Sequence, residues 1–362
     1  MTPATHTVMI MAGGTGGHIY PGLAVADVLR EKGIGVHWLG AAGGMECETV
    51  PAHGIELDAV HISGVRGRGW RGWLALPFHL LRAIRDARSS MHRVSPACAV
   101  SFGGYAAGPG GIAAWTRGIP LLVHEQNQLA GLTNRVLARV ASRVLQAFPD
   151  TFPARVRPTT CGNPVRRAIA ALPDPESRFF QRSGRPRVLV TGGSQGAGSL
   201  NRVVPGALAL LHGDLRPLVC HQAGRGHTND TMQRYGDAGV EAEVQEFIDD
   251  IGAAYAWADI VICRAGALTI SELAAAGVGS ILVPYPHAVD DHQSHNARYL
   301  SEAGAAIVLP EQALTADSLS RVLSELLGDR GRLLVMALAA RSRGVTDAAE
   351  QVALACAEWT GT

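Results

Sequence analysis

The sequence predicts an α/β protein made of two similar parallel-sheet domains. Three observations predict it. The chain has 362 residues, long for a single core at ~150 residues per domain. Short apolar runs alternate with helical patterns along it. One glycine-rich device, strand then loop then helix, occurs twice, 179 residues apart. Apolar residues make up 47% and charged residues 17%, enough to fill two cores and unlike a disordered chain.

The first copy of the device opens with Thr7–Met11, an apolar run suited to a strand. It ends in Gly13-Gly14-Thr15-Gly16-Gly17-His18. Pro21 falls where a first helical turn tolerates proline. Leu23, Ala24, Ala26, Val28 and Leu29 continue the helical pattern to Gly33, and Val36–Leu39 is the next strand, closing a βαβ unit. The second copy runs from the strand Arg187–Thr191 through Gly192-Gly193-Ser194-Gln195-Gly196-Ala197-Gly198 into a helix over Leu200–Leu211. Two Rossmann-like domains are the simplest account. Pro164, Pro173, Pro175 and Ser183-Gly184 suit a linker, so the boundary is expected between Gly162 and Pro186. Glu241–Phe247, Asp259–Cys263 and Ser280–Pro284 read as further strands. Leu319–Leu327, Arg332–Arg341 and Ala348–Glu358 read as closing helices.

Charge and cysteine usage narrow the function. Lys+Arg is 32 and Asp+Glu 31, a balance that argues against general nucleic-acid binding. Residues 1–164 hold 15 basic and 9 acidic residues, and residues 165–362 hold 17 and 22, so the N-terminal half should prefer an anionic partner. The six cysteines are scattered without a CxxC or Cys/His cluster, which fits a reduced, cytoplasmic setting. The stretch MTPATHTVMIMAGG lacks a basic region and a long apolar run, so no signal peptide is expected there. The longest uncharged stretch, Val94 to Thr116, contains five glycines and two prolines and makes a poor spanning helix.

A glycine loop between a parallel strand and a helix exposes backbone N–H groups at the positive end of the helix dipole, an anion site. Each loop also reads as a tight turn whose glycines serve packing. The dinucleotide fingerprint fails here, because Ile19 stands where it needs glycine and His37-Trp38-Leu39-Gly40 offers no acid for a ribose. No Gly-Lys-[Ser/Thr] follows either loop. In the second half, Arg264-Ala265-Gly266-Ala267-Leu268-Thr269-Ile270-Ser271-Glu272 follows a strand and opens a helix. Glu272 there can take both hydroxyls of a ribose diol, or serve only the helix dipole. Pro284-Tyr285-Pro286-His287 and Asp290-Asp291-His292-Gln293 add polar groups along the same sheet edge, where open α/β sheets hold ligands. In the first half, His18 is the leading candidate for a general base, with a loop histidine bonded to backbone as the other reading. His124-Glu125-Gln126-Asn127 follows the strand Pro120–Val123, and Glu125 is the rival base.

Between Arg66 and Arg93 lie seven arginines and one acid, Asp86, interleaved with Trp70, Trp73, Leu74, Phe78 and Leu81. At 100° per residue, Leu76, Leu80, Ala83, Ile84, Ala87 and Met91 form one core-facing stripe. Arg82, Arg85 and Arg88 lie on another side, with Leu74, Phe78 and Leu81 in the same arc. That mixture fits an anionic membrane surface, or an ordinary solvated face whose long side chains cover core atoms.

Several stretches, in order, then resemble one family: GGTGGHIYP (13–21), FGGYAAGPGG (102–111), HEQN (124–127), GLTNR (131–135), GNPVR (162–166), GGSQGA (192–197), FIDD (247–250), CRAGALTISE (263–272) and DDHQSHNA (290–297). The family is MurG, the UDP-N-acetylglucosamine transferases that act on undecaprenyl-pyrophosphoryl-N-acetylmuramyl-pentapeptide. The resemblance implies a GT-B glycosyltransferase fold, two Rossmann-like domains facing a cleft. It implies an acceptor- and membrane-binding domain over residues 1–163 plus a returning helix at 346–362, and a UDP-GlcNAc domain over 164–345. The implied reaction is inverting transfer of N-acetylglucosamine to the muramyl 4-hydroxyl, completing lipid II in peptidoglycan synthesis. Its place would be peripheral, on the cytoplasmic face of the bacterial inner membrane, with roles in cell shape and division. The implied partners are the two substrates, anionic phospholipid and other cell-wall synthesis proteins, without nucleic acid.

By the same resemblance, Ile248 would meet the uracil through its backbone, Glu272 the ribose, and Ser194 with Arg166 the pyrophosphate. The loop Ala267, Leu268, Thr269 and Gln293 would hold the sugar, with Asn127 reaching from the first domain, and Ile270 and Ser271 would belong to the same donor-binding segment. Thr15, Gly16 and Gly17 would line the cleft. Gly13, Gly14, Gly103, Gly104 and Tyr105 would face the acceptor pyrophosphate. The membrane patch would comprise Leu74 to Ile84, including Phe78, Leu81 and Arg82, together with Arg85, Arg88 and Trp115. No Asp-x-Asp motif is present to hold a nucleotide-bound cation, so no metal or other cofactor is expected, UDP-GlcNAc being the donor substrate. The rivals are a UDP-sugar epimerase of similar architecture, a transferase for another lipid such as a diacylglycerol, and a non-catalytic UDP-sugar sensor.

Overall fold

The structure, a computed structural model, describes residues 6–62, 69–180, 182–193, 195–288 and 291–361, and of residues 69–76 the backbone only. The chain divides into two compact units, Met1–Val165 with Asp347–Thr362, and Arg166–Thr346.

The first unit contains β1 (Thr7–Ala12), α1 (Gly16–Glu31), β2 (Gly35–Ala41), α2 (Glu46–Ala52), β3 (Glu56–Val60), α3 (Gly69–Val94), β4 (Cys98–Gly103), α4 (Ala107–Thr116), β5 (Leu121–Glu125), α5 (Leu132–Leu137), β6 (Arg143–Gln146) and β7 (Thr159–Thr160). Its seven strands form one parallel sheet in the order β3-β2-β1-β4-β5-β6-β7. Helices cover both faces, so the central strands read as nearly continuous apolar runs. On β1, Val8, Ile10 and Ala12 enter a core built with α1. Met9 and Met11 point to the other face, against Ala87 and Met91 of α3, Ala107 and Ala113 of α4 and Leu137 of α5.

The second unit holds α6 (Arg167–Ala170), α7 (Pro175–Phe180), β8 (Arg187–Thr191), α8 (Gly198–Ala209), β9 (Leu218–Gln222), α9 (Thr228–Asp237), β10 (Glu243–Gln245), α10 (Ile251–Trp257), β11 (Ile260–Cys263), α11 (Ala267–Ala276), β12 (Gly279–Leu282), α12 (His292–Ser301), β13 (Ala306–Val308), α13 (Ala316–Leu327) and α14 (Arg330–Ser342). Its six strands are also all parallel, in the order β10-β9-β8-β11-β12-β13. The last helix, α15 (Ala348–Ala357), belongs to the first unit. Its Val352, Ala353 and Cys356 are fully buried in the same core as Ile19, Val25 and Leu29 of α1.

Several elements depart from the expectations. Helix α1 begins at Gly16, so Pro21 lies inside it, beyond the first turn, and His18 is helical. Glycine is a poor helix former, and its propensity hid a turn that the β1–α1 connection imposes. Strand β10 covers only three residues of Glu241–Phe247, because it pairs with β9 alone, at the sheet edge. The uncharged stretch from Val94 to Thr116 divides into β4, a glycine turn and α4.

Candidate active site

In the first unit the site is built where β1, β4 and β5 end. Gly13 is buried, Gly14 has φ +91°, and Thr15 is the N-cap of α1, its side chain making no capping bond. The backbones of the two glycine turns touch, since a Cβ on Gly104 (φ +89°) would overlap the Gly13 main chain. His18, in the first turn of α1, has Nδ1 3.1 Å from the Gly13 carbonyl oxygen. A carbonyl only accepts, so Nδ1 carries the proton and, in the neutral ring, Nε2 keeps its lone pair. Nε2 lies beside Gly103, where a Cβ would come within 3.3 Å of it. Gly16 and Gly17 share that helical turn. Tyr105, just past the second glycine turn, is 54% exposed.

Glu125 is nearly fully buried at the end of β5. Its Oε1 accepts from Asn127 N–H at 3.0 Å and Asn127 Nδ2 at 3.1 Å. Its Oε2 accepts from Gly131 N–H at 3.0 Å and Asn134 Nδ2 at 3.0 Å. Four donors occupy this carboxylate, which makes it an organiser of the turn after β5. Asn127 is half-buried and held by that carboxylate. His124, next door, donates from Nε2 to Gly162 O at 2.9 Å and accepts from Gln126 Nε2 at 3.2 Å. Burial pushes this imidazole down to about 4, so it is neutral.

The expected lipid-facing residues fall on α3 and α4. Phe78 is 75%, Leu81 65% and Trp115 55% exposed. Arg82, Arg85 and Arg88 are exposed, with Arg88 Nη1 donating to Thr116 Oγ1 at 2.6 Å. Ala83, Ala87 and Met91 are fully buried, and Ile84 is half-buried between the two faces. The side chains of Leu74 and Leu76 lie outside the described residues.

In the second unit the corresponding edge gathers the loops after β8, β10, β11 and β12. Gly196 (φ +73°) and Gly224 (φ +88°) are in backbone contact, the counterpart of Gly13 against Gly104. Ser194 lies outside the described residues. Ile248, after β10, is buried. Helix α11 starts after Gly266 without a side-chain cap, so its first N–H groups, at Ala267, Leu268 and Thr269, are presented at the sheet edge. Ile270 belongs to the core instead, and Ser271 Oγ donates back to Ala267 O at 3.1 Å, a helix-internal bond. Both lie within α11. Gln293 Oε1 accepts from Ala265 N–H at 3.2 Å and Tyr285 N–H at 2.9 Å, joining the loops after β11 and β12.

Glu272 is the most telling group on this edge. It is 6% exposed; Tyr255 donates to its Oε2 at 3.2 Å, and Arg166 Nη1 stands 3.9 Å from Oε1. Oε1 itself has no hydrogen bond among the described residues. Burial pushes the carboxyl above its ordinary value, partly offset by Arg166 and by the Tyr255 hydroxyl. A buried acceptor left without a hydrogen bond costs free energy.

Comparison with known proteins fixes the lineage. Residues 8–146 match the glycosyltransferase family 28 N-terminal domain and residues 187–352 the C-terminal domain of the same family. A UDP-N-acetylglucosamine--N-acetylmuramyl-(pentapeptide) pyrophosphoryl-undecaprenol N-acetylglucosamine transferase of Marinobacter nauticus is 50% identical over 350 residues, 97% of this chain and 96% of that one. Its namesake from Xylella fastidiosa is 55% identical over 348 residues, 96% of this chain and 95% of that one. The chain belongs to the MurG family. The crystal structure of MurG from Acinetobacter baumannii superposes with a TM-score of 0.84 at 39% identity, covering 97% of this chain and 99% of that one. Membership makes the protein a glycosyltransferase of GT-B type with two Rossmann-like domains. A UDP-GlcNAc 2-epimerase from Neisseria meningitidis also superposes, with a TM-score of 0.65, but at 12% identity it shares the fold alone.

Sequence reading gave no role to Glu46, Tyr255 or Asn134 in these MurG-type constellations. Asn134 lies within the stretch GLTNR, a signal that could have found it, whereas Glu46 and Tyr255 lie in none of the family-like stretches and only tertiary structure reveals them.

Proposed function

We propose that this protein transfers N-acetylglucosamine from UDP-GlcNAc to the 4-hydroxyl of undecaprenyl-pyrophosphoryl-N-acetylmuramyl-pentapeptide, with inversion, at the cytoplasmic face of the membrane. The observation that carries the reading is identity of about half, over 97% of the chain, to transferases named for that reaction. The second unit is the donor domain. Glu272 accepts the ribose hydroxyls on its open Oε1, and the first N–H groups of α11 meet the diphosphate and sugar. Arg166, beside Glu272, offsets charge on the departing UDP, with Ser194 on the phosphates, Ile248 against the base, and Gln293 on the sugar through its amide donors.

The first unit is the acceptor domain. His18 Nε2 takes the proton of the acceptor hydroxyl as the new glycosidic bond forms and UDP leaves with its bonding electrons. Glu125 orders the turn carrying Asn127 and stands aside from proton transfer, because four donors already occupy it. The acceptor pyrophosphate meets the turn Gly103-Gly104-Tyr105. Phe78, Leu81 and Trp115, flanked by Arg82, Arg85 and Arg88, rest on an anionic lipid surface. Among the described residues no helix is long and apolar enough to cross a membrane.

The test is UDP release from UDP-GlcNAc, in EDTA, with and without the muramyl-pentapeptide lipid in detergent. Release that depends on the lipid is the expected result. Release without it, or with a diacylglycerol in its place, overturns the acceptor assignment.

A further inference from the structure

Glu46, the first residue of α2, is fully buried, and it lies under the first glycine loop. Its Oε1 accepts from Ala41 N–H at 2.8 Å and its Oε2 from Gly14 N–H at 3.0 Å. Cβ atoms on Gly13, Gly40 or Gly44 would each overlap its side chain. Three glycines, Gly40 on β2 and two from the loops after β1 and β2, thus form a compartment that a carboxylate fills.

The Gly13–Gly14 peptide links this carboxylate to His18. In a trans peptide the N–H and the C=O point in opposite directions. Glu46 holds the Gly14 N–H, so the Gly13 carbonyl of the same peptide is turned the other way, where His18 Nδ1 donates to it at 3.1 Å. Gly104 packs its main chain against Gly13, where a Cβ would overlap the Gly13 carbonyl.

We propose that Glu46 is a positioning residue for the transfer, acting through the Gly13–Gly14 peptide to hold His18 in its Nδ1–H tautomer. The inference rests on the reading of His18 as the base. It also changes the acceptor site. The Gly14 N–H is already bound to a carboxylate, and a second anion beside that carboxylate would be repelled. The Gly14 N–H is therefore not a donor to the acceptor pyrophosphate.

The test compares Glu46→Gln and Glu46→Ala with the wild type. The measurements are kcat, the two KM values, melting temperature, and the tautomer of His18 by long-range proton–nitrogen NMR on ¹⁵N-histidine protein, assigned with His18→Gln. The expected result is a kcat lowered by about 10- to 100-fold in Glu46→Ala, the scale of a misplaced reacting group, with donor KM within about twofold. Glu46→Gln, which keeps the shape and one acceptor oxygen, retains more activity. His18 changes from a single Nδ1–H tautomer to a mixture. If Glu46→Ala fails to fold, Glu46→Gln carries the same readings. Unchanged kcat in the variants, or a lost kcat with the tautomer intact, overturns the proposal. Normal turnover in His18→Gln removes the base reading itself, and with it this inference.

Discussion

In the proposed donor site, Glu272 is under two opposed demands. Burial favours its protonated form and raises its carboxyl above the ordinary value. A ribose diol, with two O–H donors, favours the ionised form. For the raised group the folded state is favoured below the unfolded value, and that stability is lost as pH rises through the folded one. Donor affinity runs the other way. It should fall on acidification at a higher pH than an ordinary carboxylate would dictate, and UDP-GlcNAc binding should release a proton in that window. Calorimetry in buffers of different ionisation enthalpy measures both effects, and Glu272→Gln should abolish them. At ~1.5–3 kcal/mol for a hydrogen bond to a charged group, that variant should bind the donor roughly 10- to 100-fold more weakly with its fold intact. His18→Ala should instead lose turnover by roughly 10²- to 10⁴-fold at unchanged donor affinity, measured by steady-state kinetics beside the same titration. The sequence showed Glu272 near a helix start, but its partners are distant along the chain. Tyr255 lies 17 residues away and Arg166 more than a hundred. Such encounters leave no spacing to read.

At the scale of elements, α3 has two faces with separable duties. Phe78 and Leu81 are exposed, so replacing both by serine should change stability by no more than ~0.5 kcal/mol. If each enters lipid at ~1.5–3 kcal/mol, the same double variant should bind anionic vesicles at least roughly tenfold more weakly. Met91, on the buried face, should behave oppositely. Met91→Ala should cost ~2–5 kcal/mol of stability and leave vesicle binding per folded molecule unchanged. Denaturant titration and vesicle sedimentation separate the two outcomes. The helical stripe was legible because Ala83, Ala87 and Met91 recur at helical spacing on a long helix. Helix α2 and strand β3 were not read, since seven and five residues with one inward glutamate carry too little periodicity. The start of α1 was misplaced by a turn, because local glycine propensity argued against a helix that the strand before it dictates.

For the whole molecule, the chain order and the unit order differ. Helix α15 is last in sequence yet fills the core of the first unit beside α1. Deleting residues 347–362 should therefore abolish the cooperative melting of the first unit while the second still melts and binds UDP, as scanning calorimetry with and without UDP would record. The same return alters the charge argument. Counted with its own helix, the first unit holds 15 basic and 12 acidic residues, a smaller excess than the first 164 residues suggested. The doubled glycine device was legible because it is local in sequence. What it does was not, because Gly13 meets Gly104, and Gly196 meets Gly224, main chain against main chain. That feature bears on drug resistance. An inhibitor seated on the N–H groups of these turns grips atoms that every amino acid but proline shares. A substitution at Gly104, Gly196 or Gly224 drives a Cβ into neighbouring backbone, so escape there would damage the enzyme first.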